Sequence, residues 1–352
     1  MSASYGRRGL TLLLVLATAA LALGSASTAA DRTVLKELSS SGLGQRSGPV
    51  RSRIVTSRAR KLAAYPAGTW GGAYTVKSGA RVNVYASRYY PVDNATNQAA
   101  ADFIDRLVHG SEISTVKIYF APPGEVGILC HSPDADGCYY PKDQEIVTVG
   151  EDTEWSTVEE VLTHEYGHHV ANNRDNYPWP AIAYGTKRWA TYMGICTKAA
   201  AGTVFPGDEG DHYLQNPGES YAESFLHLNE VKLGIAETPW FYDPALAPDS
   251  TALAMLEQDV LKPWKDNAIK RWKGKFSRRG QQHVRTFQTP LDGVFAAQIK
   301  GPRRTTLALG GLAEVKRMSS TLSAGLICGQ RSVTTKVVSG GKGRFAAAAA
   351  IP

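Results

Sequence analysis

His164-Glu165-Tyr166-Gly167-His168 is the stretch of this 352-residue chain whose residue types and spacing are best suited to chemistry. On a helix, four residues at 100° each bring His168 to within about 40° of His164, one turn along the same face. Two imidazoles so placed can share one zinc ion at about 2.0–2.1 Å, and H-E-x-x-H is a signature of that arrangement. Glu165 would direct its carboxylate at metal-bound water rather than at the metal. Zinc lowers the pKa of that water toward about 7 and polarises a carbonyl, while the glutamate takes and returns a proton. The flanking residues favour a helix: Ser156 and Glu159 read as a capping box, and Val158, Val161 and Leu162 supply an apolar side. Gly167 costs a helix about 1 kcal/mol relative to alanine, which close approach of a neighbouring element or substrate would explain.

A catalytic zinc site needs a third protein ligand and an open position. A histidine six residues past His168 would fall at Arg174, and the glycine expected with it is replaced by Ala171. A Gly-Thr-x-x-Asp ligand is imitated by Gly185-Thr-Lys-Arg-Trp189, but Trp189 holds the Asp position. There remains a glutamate on a later helix. Asn216-Pro-Gly-Glu219-Ser-Tyr-Ala-Glu223 offers Glu219 and Glu223 one turn apart on one face, after a Pro-Gly start. Peptide hydrolysis also needs a donor toward the tetrahedral oxyanion. Tyr184, His212, Tyr213 and His227 are the candidates; Tyr213 lies just before the Glu219 helix and His227 one turn past Glu223. His169 points about 100° away from His168 and reads as a surface residue. His109, near a helix C-terminus, reads as a dipole-favoured cap.

With these residues the chain resembles the gluzincins, the thermolysin-like clan of zinc metallopeptidases, over residues 80–235. The resemblance implies an α+β, zincin-like domain with its active-site helix packed on a small mixed sheet. It also implies one zinc ion held by His164, His168 and Glu219, with Glu165 as general base. Glu223 is implied as the acid that hydrogen-bonds a zinc-binding histidine and fixes its tautomer. Two features depart from the clan. This acid is Glu where thermolysin-like enzymes have Asp, and the interval from His168 to Glu219 is longer, so Glu223 stays open as the alternative ligand. The resemblance further implies that a strand over 145–149 borders the cleft and pairs with extended substrate.

Periodicity outlines the elements that must position these groups. Arg81–Tyr85 alternates like a strand, and Asn94–His109 carries Ala99, Phe103, Ile104, Leu107 and Val108 at helical spacing before Gly110. Ile113–Phe120 reads as a second strand halted by Pro122-Pro123, and Glu145–Val149 as a third. Residues 173–218 read as loop, and Glu219–Gly234 and Thr251–Lys262 as helices. The catalytic domain is placed at 69–275. Beyond Gly280, short strand-like pieces at 289–293, 305–309 and 332–338 read as a small antiparallel β-domain over 280–352. It resembles, more weakly, the β-sandwich domains appended to secreted bacterial peptidases. The alanine run 346–350 would suit a helix in isolation.

Arg7-Arg8, the apolar run Leu10–Leu23 and the small residues to Ala30 make up the three parts of a secretory signal peptide, residues 1–30. Cleavage after Ala26 or after Ala30 fits equally, and the arginine pair is also compatible with a twin-arginine signal. The apolar run is too short for a permanent span of a bilayer core of about 30 Å. A secreted, extracellular protein is expected. Residues 31–68, rich in Ser, Gly and Arg, read as a flexible leader or pro-segment. In such a compartment Cys130 and Cys138 read as a disulfide, while Cys196 and Cys328 either bridge the domains or stay free. With 39 Lys and Arg against 32 Asp and Glu the chain carries +7, and loss of Arg7 and Arg8 leaves +5. That excess sits in residues 262–279, read as a solvated helix face and linker or as a contact for anionic cell-wall polymer. Export argues against nucleic acid. The expected function is a zinc-dependent metalloendopeptidase acting on proteins or peptides. A wall- or surface-binding protein with an inactive or structural zincin domain is the alternative, and a zinc hydrolase of non-protein amides a third reading.

Overall fold

Residues 48–56, 65–234, 240–241, 243–302, 304–310, 316–319, 322–329 and 331–352 are described by a computed structural model. The expected signal peptide, 1–30, and leader residues 31–47 and 57–64 lie outside the described residues. The first sheet opens with a hairpin of β1 (Trp70–Thr75) and β2 (Arg81–Ala86). Helix α1 (Asn94–Arg106) leads to β3 (Lys117–Ala121), α2 (Pro123–Leu129) to β4 (Gly137–Tyr140), and β5 (Glu145–Val149) completes the sheet. Its order is β1-β2-β3-β5-β4, parallel from β2 through β3 to β5 and antiparallel at both outer pairs. The fold is therefore α+β. Two local expectations change. Residues 111–114 form a single 3₁₀ turn before β3, and Pro123 opens α2, where a missing N–H costs nothing. The strand at 145–149 is interior, and the edge belongs to β4.

Helix α3 (Val158–Asn172) carries the histidine motif. Its capping box is Thr157 with Glu160, one residue later than the pair read from the sequence. Ser156 instead donates to Asp136, 3.3 Å away, and Thr157 N–H donates to Glu160 at 2.8 Å. On one side of the sheet Ile118, Phe120 and Ile146 join Leu162, Tyr166 and Val170 of α3 in one core. Tyr119, Val147 and Val149, which alternate with them, join Val50 and Val55 in a second, which Val161 of α3 also touches. Hence the leader is not wholly separate from the fold. Within 48–56, Val50, Ile54 and Val55 are buried.

The stretch read as loop holds a minimal ribbon of β6 (Asp175–Asn176) and β7 (Trp179–Pro180), then α4 (Ala181–Tyr184), α5 (Lys187–Tyr192) and α6 (Ile195–Ala200). Each is too short to display a period, and α5 borrows its cap from afar. Asp259 accepts from the N–H groups of Arg188 and Trp189 at 2.7 and 3.2 Å. Helix α7 (Pro217–Leu233) starts under Asn216, whose side chain accepts from Gly218 N–H. Helix α8 (Ser250–Leu261) follows.

The remainder is antiparallel β-structure in two sheets. The strands are β8 (Ala268–Phe276), β9 (Gln282–Thr289), β10 (Gly293–Lys300), β11 (Thr306–Gly310), β12 (Lys316–Ser319), β13 (Leu322–Ile327), β14 (Arg331–Val338) and β15 (Gly343–Ile351). Their orders are β12-β13-β10-β15-β8 and β11-β14-β9. Phe276, Phe295, Phe345 and Ile327 of the first meet Phe287, Leu307 and Val333 of the second in a separate core. Much of the basic run thus forms the exposed edge strand β8 rather than a helix face, and residues 268–275 pair with this second unit. The alanine run is also a strand, because β10 and β8 pair with it on both sides and Ala347 and Ala349 face the core. Disulfides join Cys130 to Cys138 and Cys196 to Cys328, the second linking α6 to the loop after β13. Among the described residues no helix is long and apolar enough to cross a membrane.

Gly167 explains how α3 and α7 come together. A Cβ there would stand 3.0 Å from Ala222 Cα and 3.1 Å from Phe225 Cβ, so a side chain would require α7 to give by a few tenths of an ångström. Gly167→Val is expected to destabilise the protein by about 2 kcal/mol, as overpacked core sites do. Urea denaturation checks this; an unchanged midpoint would show that the contact is not tight.

Candidate metal centre

The local reason for the site is the pairing of two helices that each repeat their polar groups every four residues. His164 and His168 project from α3, and Glu219 and Glu223 from α7. Gly167 lets the backbones approach, and the four side chains meet between them, fully or almost fully buried. His164 Nε2 lies 3.2 Å from one oxygen of Glu219, and His168 Nε2 lies 3.4 Å from the other. Donor atoms on a shared tetrahedral ion at about 2.0–2.1 Å stand about 3.4 Å apart. The ligand atoms of His164, His168 and Glu219 all fall within 4.8 Å of one another, so this buried group could hold a metal ion. Glu223 stands behind His164, its oxygen 3.1 Å from Nδ1, where it fixes the ring and leaves Nε2 to face Glu219.

Charge supports the same reading. Three buried carboxyl groups, Glu165, Glu219 and Glu223, surround two imidazoles, an excess of acid that a divalent cation would balance. Burial would raise the Glu219 carboxyl, but the charges and hydrogen bonds of His168 and His164 overcome it and hold it well below the usual carboxylate range. For His164, burial pulls downward, yet the hydrogen bonds to Glu219 and Glu223 lift the ring to about 10. Burial wins at His168, which is lowered despite Glu219. Burial also pushes Glu165 up to about 8, against the influence of His164 and the Ser52 hydroxyl. Neither Glu165 oxygen has a hydrogen bond of standard geometry. Its side chain lies under β4, where a Cβ on Gly137 would come 2.9 Å from Oε1.

Of the proposed oxyanion donors, Tyr213 reaches the group, its hydroxyl donating to Glu219 at 3.0 Å. His227 does not belong to it. Eight residues past Glu219 on α7, it is displaced by about 12 Å along the helix axis, and its ring lies against Phe241 and 3.6 Å from Glu230. Tyr184 stacks on Trp179, and His212 stacks on Phe205 while pairing with Asp208. His169, expected at the surface, is buried. Tyr139 O–H donates to its Nδ1 at 3.0 Å, and its Nε2–H donates to Glu112 O at 3.0 Å. Burial lowers that ring to about 4, so it is a neutral structural residue. Trp189 sits in the core against Tyr221, and Arg174 is paired with Glu112 at 2.8 Å, as suits residues that are not ligands.

Two further residues border the group. Ser52 Oγ is 3.4 Å from His168 Nε2. Glu209 accepts from Ile54 N–H at 3.0 Å and from the Asn216 side chain at 2.8 Å; burial and the charge of Glu219 push it up to about 9. Val50-Arg-Ser-Arg-Ile-Val55 holds a faint local signal for the first, Arg51 and Arg53 alternating with the smaller or apolar Val50, Ser52 and Ile54. Glu209 sits in a short acidic loop with no periodicity at all. No protein-family model matches the chain, and neither do any curated protein or solved structure.

Ligand and supporting roles separate by substitution. Glu219→Ala is expected to abolish stoichiometric zinc binding, whereas Glu223→Ala should retain it with affinity lowered about 10–100-fold. Metal content after dialysis and competition with a chromophoric chelator measure both. Full zinc in the Glu219 variant would transfer the ligand role to Glu223.

Proposed function

We propose that the protein is a secreted zinc metallopeptidase of gluzincin type, with His164, His168 and Glu219 as metal ligands. The observation that carries this reading is the buried group of two histidines and a glutamate, beside a buried Glu165 carboxylate that has no hydrogen bond of standard geometry. A structural zinc site closes its coordination with four protein ligands, whereas a hydrolytic site has three and keeps an open position. Bound zinc would supply Lewis acidity toward a substrate carbonyl and toward water.

The chain's own residues supply the rest. Glu165 is buried on α3 beneath β4, next to the ligand group, where its carboxylate would accept a proton from water and return it to the leaving amine. Glu223 orients His164, and Tyr213 steadies Glu219 while presenting a hydroxyl near the group. The outer edge of β4 holds the extended stretch Arg51–Val55 by backbone hydrogen bonds, a mode of pairing that an extended peptide could also use, which favours protein or peptide substrates. The two disulfides accord with export. On the basic edge strand β8, Lys270, Arg271, Lys273 and Lys275 are exposed, and they support a contact with anionic cell-wall polymer by the same protein.

A Glu165→Gln variant is expected to retain zinc while losing cleavage of a quenched peptide library by about a hundredfold or more. The assay is run on protein as secreted and after limited proteolysis, with casein and peptidoglycan digests in parallel. Unchanged turnover in the variant would remove Glu165 from the mechanism. Digestion of peptidoglycan alone would move the substrate away from proteins.

A further inference from the structure

The segment Gly48–Thr56 lies where an extended substrate would be expected. It runs parallel to β4, bridged at Ile54 and Tyr139, and extends the sheet beyond its edge. Asp136 N–H donates to Arg51 O at 2.8 Å, Tyr139 N–H to Arg53 O at 3.0 Å, and Val55 N–H to Tyr139 O at 2.9 Å. The opposite side of the segment is held as well. Ile54 N–H turns away from β4 and donates to Glu209. Between these two attachments the Ser52 side chain is buried and brings its hydroxyl within 3.4 Å of His168 Nε2.

We infer that residues 48–56 form an inhibitory strap, a built-in occupant of the peptide groove whose Ser52 caps the metal group. The inference rests on the peptidase reading for what is inhibited, but not for the occupancy itself. Three features fit an occupant better than an ordinary piece of core. Its backbone bonds go to the sheet edge that a substrate would use. Its one contact with the metal group is a small hydroxyl side chain, a weak ligand that can be displaced. Its second anchor, Glu209, comes from a loop rather than from the sheet, so the groove has a second wall that stays in place when the strap leaves. Because the strap belongs to the same chain, its local concentration is in the millimolar range or above, and even weak contacts keep the groove filled. Activity then requires the segment to be displaced or cut away.

The experiment uses the full chain with residues 57–64 replaced by a recognition sequence for a site-specific protease. It reads the rate at which a chromophoric chelator removes zinc, before and after cutting and removal of the strap, with mass spectrometry confirming the loss. Removal is expected to accelerate zinc extraction about tenfold or more, since the groove is no longer filled intramolecularly. A labelled peptide Gly-Pro-Val-Arg-Ser-Arg-Ile-Val-Thr should rebind the opened protein, saturating in fluorescence anisotropy, and slow extraction again. The same peptide carrying the Ile54→Pro change loses the N–H given to Glu209 together with the buried isoleucine side chain and should bind at least about tenfold more weakly. Ile54→Pro in the uncut chain should likewise speed extraction, a readout that does not depend on the cut protein staying folded. Equal extraction rates with and without the strap, or no rebinding of the peptide, would overturn the inference. Cleavage of a peptide library at the same rate before and after strap removal would also overturn it while leaving the peptidase reading intact. An opened protein that rebinds the strap peptide but cleaves no library peptide would uphold the strap and count against the peptidase.

Discussion

Everything at the centre of this molecule depends on how closely α7 lies against α3. The two imidazoles are local to one helix, but the carboxylate that joins them comes from a residue 51 positions after His168. Its oxygens reach both Nε2 atoms where the helices pack closely at Gly167, at which a Cβ would stand 3.0 Å from Ala222 Cα. The cost is the poor helix propensity of glycine, about 1 kcal/mol. Helix packing offsets it, with Tyr166 and Phe225 in contact alongside the glycine. One residue thus sets the geometry of a site to which it contributes no functional group.

The parts of the site that could be read from sequence are those whose geometry is local. His164 with His168, and Glu219 with Glu223, each follow from the four-residue return of a helix, and Asn216-Pro217 marks where the second helix begins. What escaped reading depends on tertiary neighbours. His169 would be a surface residue if α3 had a solvent side, but Glu112 and Tyr139 close over that face. Gly137–Tyr140 is buried at all four positions, so it has none of the alternation that marks a strand, and its role at the edge emerges only from pairing with β5. The shift of the capping box from Ser156 to Thr157 follows from the hydrogen bond of Ser156 to Asp136, a partner 20 residues away. His227 stands apart from the group for a simpler reason. The i, i+4 rule keeps it on the face of Glu223 but says nothing of distance along the axis.

The same override of local preference governs the second unit. Five consecutive alanines are the best helix formers available, yet here they form β15, between β10 and β8. Small side chains suit that place, because Ala347 and Ala349 must fit beneath larger residues such as Phe276 and Phe295 in a thin core. On its far side β8 is an open edge, and its lysines perform a physical task whatever they bind: charges along an unpaired strand discourage pairing with other chains. A basic run therefore does not by itself identify an anionic partner.

Burial and electrostatics bear most directly on chemistry at the two histidines, which are not equivalent. His164 has a carboxylate on each ring nitrogen, whereas His168 has Glu219 on one side and no hydrogen-bond partner at Nδ1. The ring backed by Glu223 is the more basic donor and the more rigidly oriented one. His168 lacks such a partner behind it, and it is the ring that Ser52 approaches. The strap therefore meets the group at the histidine that no carboxylate backs. Its backbone is held firmly by β4 and Glu209, and its contact with the metal group is a single hydroxyl that a better ligand can replace.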